Sequence, residues 1–127
     1  MGLFRKKTGG SGEQLARVFL SKNGYRILDE NYATPFGELD FVGIDDDALV
    51  FIEVKTRRSS RFGNPLDAVT YRKRNSIIKS ALHYLRQKKF QFSTYRFDTV
   101  SIELINDTSN NIELIKNVFE LDGHYSF

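Results

Sequence analysis

The chain has 127 residues, 40% hydrophobic and 28% charged, with a net charge of +3, a composition that fits one globular domain large enough to bury its own core. The absence of cysteine excludes disulfides, thiolate-held zinc and a cysteine nucleophile together, and His83 and His124 lie too far apart in sequence to suggest a histidine-built zinc site. No apolar run is long enough for a membrane span or a signal peptide, and Lys6 stands where a myristoylation signal after Gly2 wants Ser or Thr, so a cytoplasmic protein is expected.

Residues 1 to 10 carry the basic triplet Arg5-Lys6-Lys7, end in Gly9-Gly10 and read as a flexible tail. A helix is predicted from Ser11 or Gly12 to Asn23, with Leu15, Ala16, Phe19 and Leu20 as its apolar stripe and Gly24 as its stop. Glu13 falls at the edge of that stripe. It is either a first-turn charge favoured by the helix dipole or a carboxylate turned toward the acidic cluster described next.

Tyr25 to Tyr32 reads as a first strand, turned by Ala33-Thr34-Pro35-Phe36-Gly37 into residues 38 to 55, two arms rich in Val, Ile and Phe folded about Asp45-Asp46-Asp47. If the hairpin is symmetric about the Asp46-Asp47 bond, facing residues have numbers that sum to 93. Asp40 then opposes Glu53, and Glu38 opposes Lys55. Alternation sends these four to one side and Leu39, Phe41, Val50, Ile52 and Val54 to the other. Facing side chains start about 5 Å apart, where two carboxylates repel unless a cation stands between them. Three carboxylates and one ammonium suit a hard, oxygen-liganded ion such as Mg²⁺ or Mn²⁺. The other reading is a solvated sheet face with one cross-strand ion pair, because an acid two residues before a lysine occurs about once by chance at this composition. A slip of one residue in register would dissolve the cluster.

Thr56 to Asn64 reads as a polar, basic surface loop. Asn64-Pro65 caps a long helix that runs to about Lys88, with Leu66, Val69, Ile77, Ala81 and Leu85 facing inward. Lys73 shares that inward stripe, placed to snorkel outward or to reach a phosphate beside the cluster, and Arg72 and Arg74 flank it. A strand from Tyr95 to Leu104 follows, laid parallel to Phe51–Lys55 by a right-handed crossover, with Arg96 and Asp98 on one face as a structural ion pair. Asp107 to Asn111 is a turn, Ile112 to Phe119 a strand or a short helix, and residues 121 to 127 a tail. The domain is expected over residues 11 to 120.

Charge is unevenly spread. Residues 55 to 89 hold eleven basic side chains against the single acid Asp67, a local charge of +10 that leaves −7 for the remainder. A basic flank directly after an acidic cluster suggests a polyanion approaching a metal-loaded centre, the alternative being a solvated helix face.

Together, Gly12-Glu13, Gly24-Tyr25, Asn31, Gly37-Glu38-Leu39-Asp40, Phe51-Ile52-Glu53-Val54-Lys55, Arg57, Phe62-Gly63, Lys73, Ala81 and Arg96-Phe97-Asp98 resemble the bacterial YraN family. That family is similar to Holliday-junction resolvases within the restriction-endonuclease-like (PD-(D/E)xK) superfamily. The resemblance covers roughly residues 11 to 120. It implies an α/β nuclease core of αβββαβ topology, a mixed sheet with helices packed on it, in which Asp40 and Glu53 ligate Mg²⁺ or Mn²⁺. Val54 would lend its carbonyl, Lys55 would be the catalytic lysine, and Glu13 the helix-borne acid, with Glu38 in support. Leu39 stands where the superfamily often has proline before the first acid. The expected activity is metal-dependent phosphodiester hydrolysis on DNA, structure-selective for branched or flapped forms, with RNA as the alternative polymer and a two-fold dimer required for symmetric cutting. Arg57, Arg58, Arg61, Arg72, Lys73 and Arg74 would hold backbone phosphates. The competing expectation is a non-catalytic nucleic-acid-binding module of the same fold that recruits a DNA-processing partner.

Overall fold

A computed structural model describes residues 2–58, 71–89 and 91–118, with side chains from residue 12 onward. The elements run α1 (Gly2–Lys22), β1 (Arg26–Thr34), β2 (Gly37–Asp45), β3 (Ala48–Arg57), α2 (Tyr71–Lys88), β4 (Thr94–Leu104) and β5 (Asn110–Ile115). They form a mixed α/β fold around one five-stranded sheet in the order β1-β2-β3-β4-β5. β1, β2 and β3 are an antiparallel meander, β4 joins β3 in parallel, and β5 closes the far edge antiparallel to β4. The parallel step follows from the long helix between β3 and β4, since parallel neighbours need a crossover. Ile112 to Ile115 is strand, which resolves the alternative left open for that segment. The loop over 59–64, the Asn64-Pro65 cap, Leu66, Val69 and the C-terminal tail lie outside the described residues.

The two faces of β3 feed two separate cores. Val50 and Ile52, with Phe41, Val100 and Ile102, pack on Ala16 and Leu20 of α1. Leu49 and Phe51, with Val42 and Phe97, pack on Ile78, Ala81, Tyr84 and Leu85 of α2. A helix on each side explains why β3 is buried from Ala48 through Ile52 without a polar interruption. Lys55 and its neighbours emerge where that double cover thins.

Three expectations are corrected. Helix α1 begins at Gly2, not at Ser11 or Gly12; once nucleated, a helix propagates through a glycine at a cost of only about 1 kcal/mol, so Gly9-Gly10 does not stop it. Leu39 and Phe41 enter opposite cores, Leu39 with α2 and Phe41 with α1. In β1 the register shifts between Ile27 and Asp29, and Asn31 adopts a φ of 51°, a left-handed conformation that Asn tolerates and that interrupts strand alternation. Finally, Ala81 and Leu85 of α2 are buried as expected, but Ile78 and Tyr84 join them in the core while Ile77 is only half-buried.

Candidate functional site

The β2–β3 hairpin has the expected register: Phe41 faces Ile52, Val42 faces Phe51, Gly43 faces Val50, Ile44 faces Leu49 and Asp45 faces Ala48. Asp46 and Asp47 form the two-residue turn, Asp46 at a φ of 59°. The paired ladder ends at Phe41 and Ile52, so the expected pairs Asp40–Glu53 and Glu38–Lys55 are not part of it; Asp40 and Glu53 are the next residues along each arm. There a side chain replaces the backbone partner: the Val54 N–H donates to Asp40 Oδ2 at 2.8 Å.

Burial pushes the Asp40 carboxyl up. The Val54 hydrogen bond opposes this, while the negative charges of Glu53, Glu13 and Glu38 add to it, and the carboxyl is pushed up to about 7 from its ordinary 3.8. Three of the acids singled out by sequence therefore bear on the fourth, Asp40. Glu13 reaches this group from α1, and because α1 starts at Gly2 it lies well inside the helix, where a first-turn dipole role has no basis.

The Glu53 side chain is 13% exposed, and Lys73 Nζ of α2 stands 3.2 Å from its Oε1. The contact pairs charges without aligning a donor, and Oε1 is buried with no hydrogen bond. Lys73 thus reaches the cluster instead of snorkelling away, although its side chain remains 45% exposed. Lys55, half-buried, lies beside Ser101 across the parallel ladder, as Glu53 lies beside Thr99. Thr99 and Ser101 are buried polar neighbours that sequence reasoning missed; strand alternation in β4 marks their face, and only the β3–β4 register reveals their neighbours.

Among the described residues, no three carboxylate or imidazole side chains stand close enough together to hold a metal ion. Asp40 is directed onto the Val54 N–H and Glu53 is paired with Lys73.

The basic residues divide between two surfaces. Arg57 and Arg58 end β3, and Arg58 lines a groove of about 710 Å³ with α1 and the β4–β5 connection. Arg72 and Arg74 are exposed on the first described turn of α2, and Arg72 lines a different groove with Phe36, Tyr71 and Lys79. Arg61 lies outside the described residues.

Arg96 and Asp98 form the expected structural pair, within a larger network. Arg96 donates to Asp98 and to Asp45, Tyr25 Oη donates to Asp98 at 2.7 Å, and the Asn117 N–H donates to Asp98 at 2.9 Å. Lys116 completes it with an ion pair to Asp45 at 3.2 Å. Asp45 joins this network through the turn end of β2, the opposite end of the strand from Glu38.

Among the described residues no helix is long and apolar enough to cross a membrane. The model of an uncharacterised protein family, UPF0102, matches residues 12–102. A UPF0102 protein of Syntrophomonas wolfei subsp. wolfei is 47% identical over 114 residues, spanning 90% of this chain and 98% of its own. One from Syntrophus aciditrophicus is 45% identical over 115 residues, spanning 91% and 90%. One from Clostridium kluyveri is 42% identical over 125 residues, spanning 95% and 100%.

Proposed function

The chain belongs to the uncharacterised protein family UPF0102, the YraN family whose motifs it carries, and from that premise we propose that it is a metal-dependent endonuclease acting on branched or flapped DNA, built on a restriction-endonuclease-like core. The element order α1-β1-β2-β3-α2-β4 supports that fold. The observation that carries the activity is the placing of Asp40 and Glu53 next to one another along the arms where the hairpin ladder stops, with the Asp40 carboxyl pushed up chiefly by burial and further by the charges of Glu53, Glu13 and Glu38.

The two carboxylates of Asp40 and Glu53 and the Val54 carbonyl are hard oxygen donors of the kind a divalent cation takes, though among the described residues no three acidic side chains are grouped to hold one by themselves. Crowded carboxylates raise each other's proton affinity until a cation relieves them, and a buried carboxylate oxygen without a hydrogen bond, as at Glu53 Oε1, has capacity for a ligand bond. Asp40, Glu53 and the Val54 carbonyl would hold Mg²⁺ or Mn²⁺, with Glu13 and Glu38 adding negative charge nearby instead of ligating it. Such an ion supplies Lewis acidity toward the phosphate and the attacking water.

The remaining chemistry belongs to the chain. Lys55 stabilises negative charge as it builds on the phosphate oxygens, a task its ammonium performs without losing its proton. Arg57, Arg58, Arg61, Arg72, Lys73 and Arg74 hold backbone phosphates, which gives affinity without base reading and makes it sensitive to salt. Symmetric cutting of a four-way junction would add a two-fold dimer.

A second reading is a binding module of the same fold that recruits a DNA-processing partner without turnover. Lys73 favours it, because its ammonium already neutralises Glu53. Incubation with linear, flapped and four-way DNA in Mn²⁺ or Mg²⁺ decides between them. A nuclease cuts the flapped or four-way substrate and loses that activity in Asp40→Ala and Glu53→Ala. Binding of all three without cleavage selects the module, and a flap made of RNA tests the polymer.

A further inference from the structure

A second feature lies beside the acidic centre and is independent of its carboxylates. Among the described residues, Phe36 is 47% exposed and Tyr71 is 75% exposed. Both line one groove of about 410 Å³ together with Arg72, Asn75, Ser76 and Lys79. That volume is within the range of ligand pockets, roughly 300–1,000 Å³. Of the described residues that line it, two are cationic and none is acidic.

The backbone beneath Phe36 is tied down while its ring stays at the surface. The Phe36 N–H donates to Thr34 Oγ1 at 3.1 Å, and Ser76 Oγ donates to the Phe36 carbonyl at 2.6 Å. Thr34 Oγ1 lies 2.8 Å from Ser80 Oγ, a second tie to α2. Among the described residues, the ring meets the edge of His83, at 6.5 Å between centroids, and Lys79 Nζ, 5.9 Å from its centre. An aromatic ring presented from a fixed turn binds without first paying to be ordered.

We propose that this groove is a stacking site for unpaired bases of a single-stranded nucleic acid, with Phe36 and Tyr71 as the aromatic surfaces and Arg72 and Lys79 on the adjoining phosphates. Aromatic side chains interleaved with cations are the means by which proteins hold single strands, since every base offers a π face and every linkage a negative charge. An intact duplex offers this groove its phosphates but not its base faces.

The placement gives the site a purpose. Phe36 and Gly37 directly precede the arm that carries Glu38 and Asp40. Ser76, bonded to Phe36, follows Lys73 on α2 by less than one turn, and Lys73 touches Glu53. A strand seated on Phe36 and Tyr71 therefore leads toward the acidic centre. The inference deepens the proposed function, on whose nucleic-acid partner it rests, by assigning selectivity for unpaired over paired strands to this groove.

The test uses the full chain in a chelating buffer, so that binding is read without cleavage. Short single strands of DNA and of RNA, each carrying the fluorescent base 2-aminopurine, and a blunt duplex of the same sequence are titrated with wild type, Phe36→Ala, Phe36→Leu and Tyr71→Ala. The expected result is a change in 2-aminopurine emission on binding single strands, with affinity at least about fivefold weaker in each variant, the lower end of what one base–aromatic stack contributes. Blunt-duplex affinity stays unchanged. Phe36→Leu keeps an apolar side chain without a π face, so its loss separates stacking from folding, and a preference between the DNA and RNA strands identifies the polymer. Unaltered single-strand affinity in all three variants, or equal loss on single strand and duplex, overturns the stacking site. Cleavage by wild type that Phe36→Leu and Tyr71→Ala leave unaffected would sink this inference alone, whereas emission changes without any metal-dependent cleavage would sink the nuclease reading alone.

Discussion

The Val54 N–H donates to Asp40 Oδ2 at 2.8 Å, so a carboxylate completes the hairpin where the paired ladder has stopped. The bond turns the Asp40 carboxylate toward the β3 backbone next to Glu53. It also gives one oxygen a donor, but burial and the negative charges around it outweigh that bond, and the carboxyl is pushed up to about 7 in spite of it.

The first prediction concerns that charge. The folded value, about 7, lies above the ordinary 3.8 of an unfolded aspartate, so the folded protein holds the proton longer. The stabilisation is complete below the unfolded value and is lost as pH rises through the folded one. In chelating buffer the melting temperature of wild type should therefore fall across this interval as pH increases. Asp40→Asn, which keeps an oxygen for the Val54 N–H and carries no charge, should match wild type in acid and melt higher by several degrees at about pH 8. Adding Mn²⁺ at that pH should raise the wild type and leave Asp40→Asn and Glu53→Ala unmoved. Equal metal shifts in all three proteins would remove the metal from the site.

Lys73 supplies the second prediction. Its ammonium, 3.2 Å from Glu53 Oε1, occupies the neighbourhood a divalent cation would enter. Lys73→Met should lower the metal-free melting temperature by a few degrees, because it leaves a mostly buried carboxylate without a counter-charge, a loss of about 1 kcal/mol for a pair whose cation is half in solvent. The same variant should bind Mn²⁺ more tightly than wild type, measured by calorimetry. Weaker Mn²⁺ binding would make Lys73 a support for the ion instead of its rival.

The hairpin register was legible because its signals are local: two apolar arms, three aspartates between them, and a symmetry that Phe41–Ile52 through Asp45–Ala48 obey. The parallel placement of β4 was legible for a topological reason, the length of chain between the strands. What stayed hidden depends on contacts distant in sequence or on single backbone angles. Leu39 and Phe41 part to opposite cores where the β2–β3 ladder stops, opposite the left-handed Asn31 of β1, and Lys73 finds Glu53 across the α2–β3 interface. Tyr84, buried in the α2 core, sends its hydroxyl to Asp29 at 2.6 Å. Apolar periodicity alone does not announce such a partner. Charge counting joined Arg58 and Arg72 into one basic flank, yet they line different grooves, because a sum over sequence has no direction.

The buried Asp98 leads to the third prediction. It is 1% exposed and accepts from Tyr25, Arg96 and the Asn117 N–H. Asp98→Ala would leave all three donors without their acceptor at once and leave Arg96 with Asp45 and the Tyr25 hydroxyl, so unfolding stability should fall by about 3 kcal/mol or more. Tyr25→Phe removes only one donor and should cost about 1 kcal/mol. Urea titration gives both values. Since Tyr25, Arg96 and Asp98 lie apart from Asp40 and Glu53, metal binding by Tyr25→Phe should equal that of wild type; a matched loss would show the two regions to be coupled.

The fourth prediction uses Gly12. A methyl group there would come within 2.5 Å of Thr56 Oγ1 and 3.4 Å of Thr56 Cβ, so the absence of a side chain lets α1 approach the end of β3 next to Lys55. In an open helix interior, Gly→Ala gains about 1 kcal/mol. At this position the gain should be cancelled or reversed, because threonine is stiff at χ1 and the helix must yield instead. Thr56→Ala removes Oγ1 and leaves only the ordinary approach to Cβ, so adding Gly12→Ala in that background should recover the full gain. The quantity to measure is the coupling between the two substitutions in a double-mutant cycle of urea unfolding, expected at about 1 kcal/mol or more. Additive effects would mean that Gly12 does not set the distance between α1 and β3. The displacement in Gly12→Ala alone should also move Glu13 relative to Asp40, and Mn²⁺ affinity should drop in that variant and return in the double one.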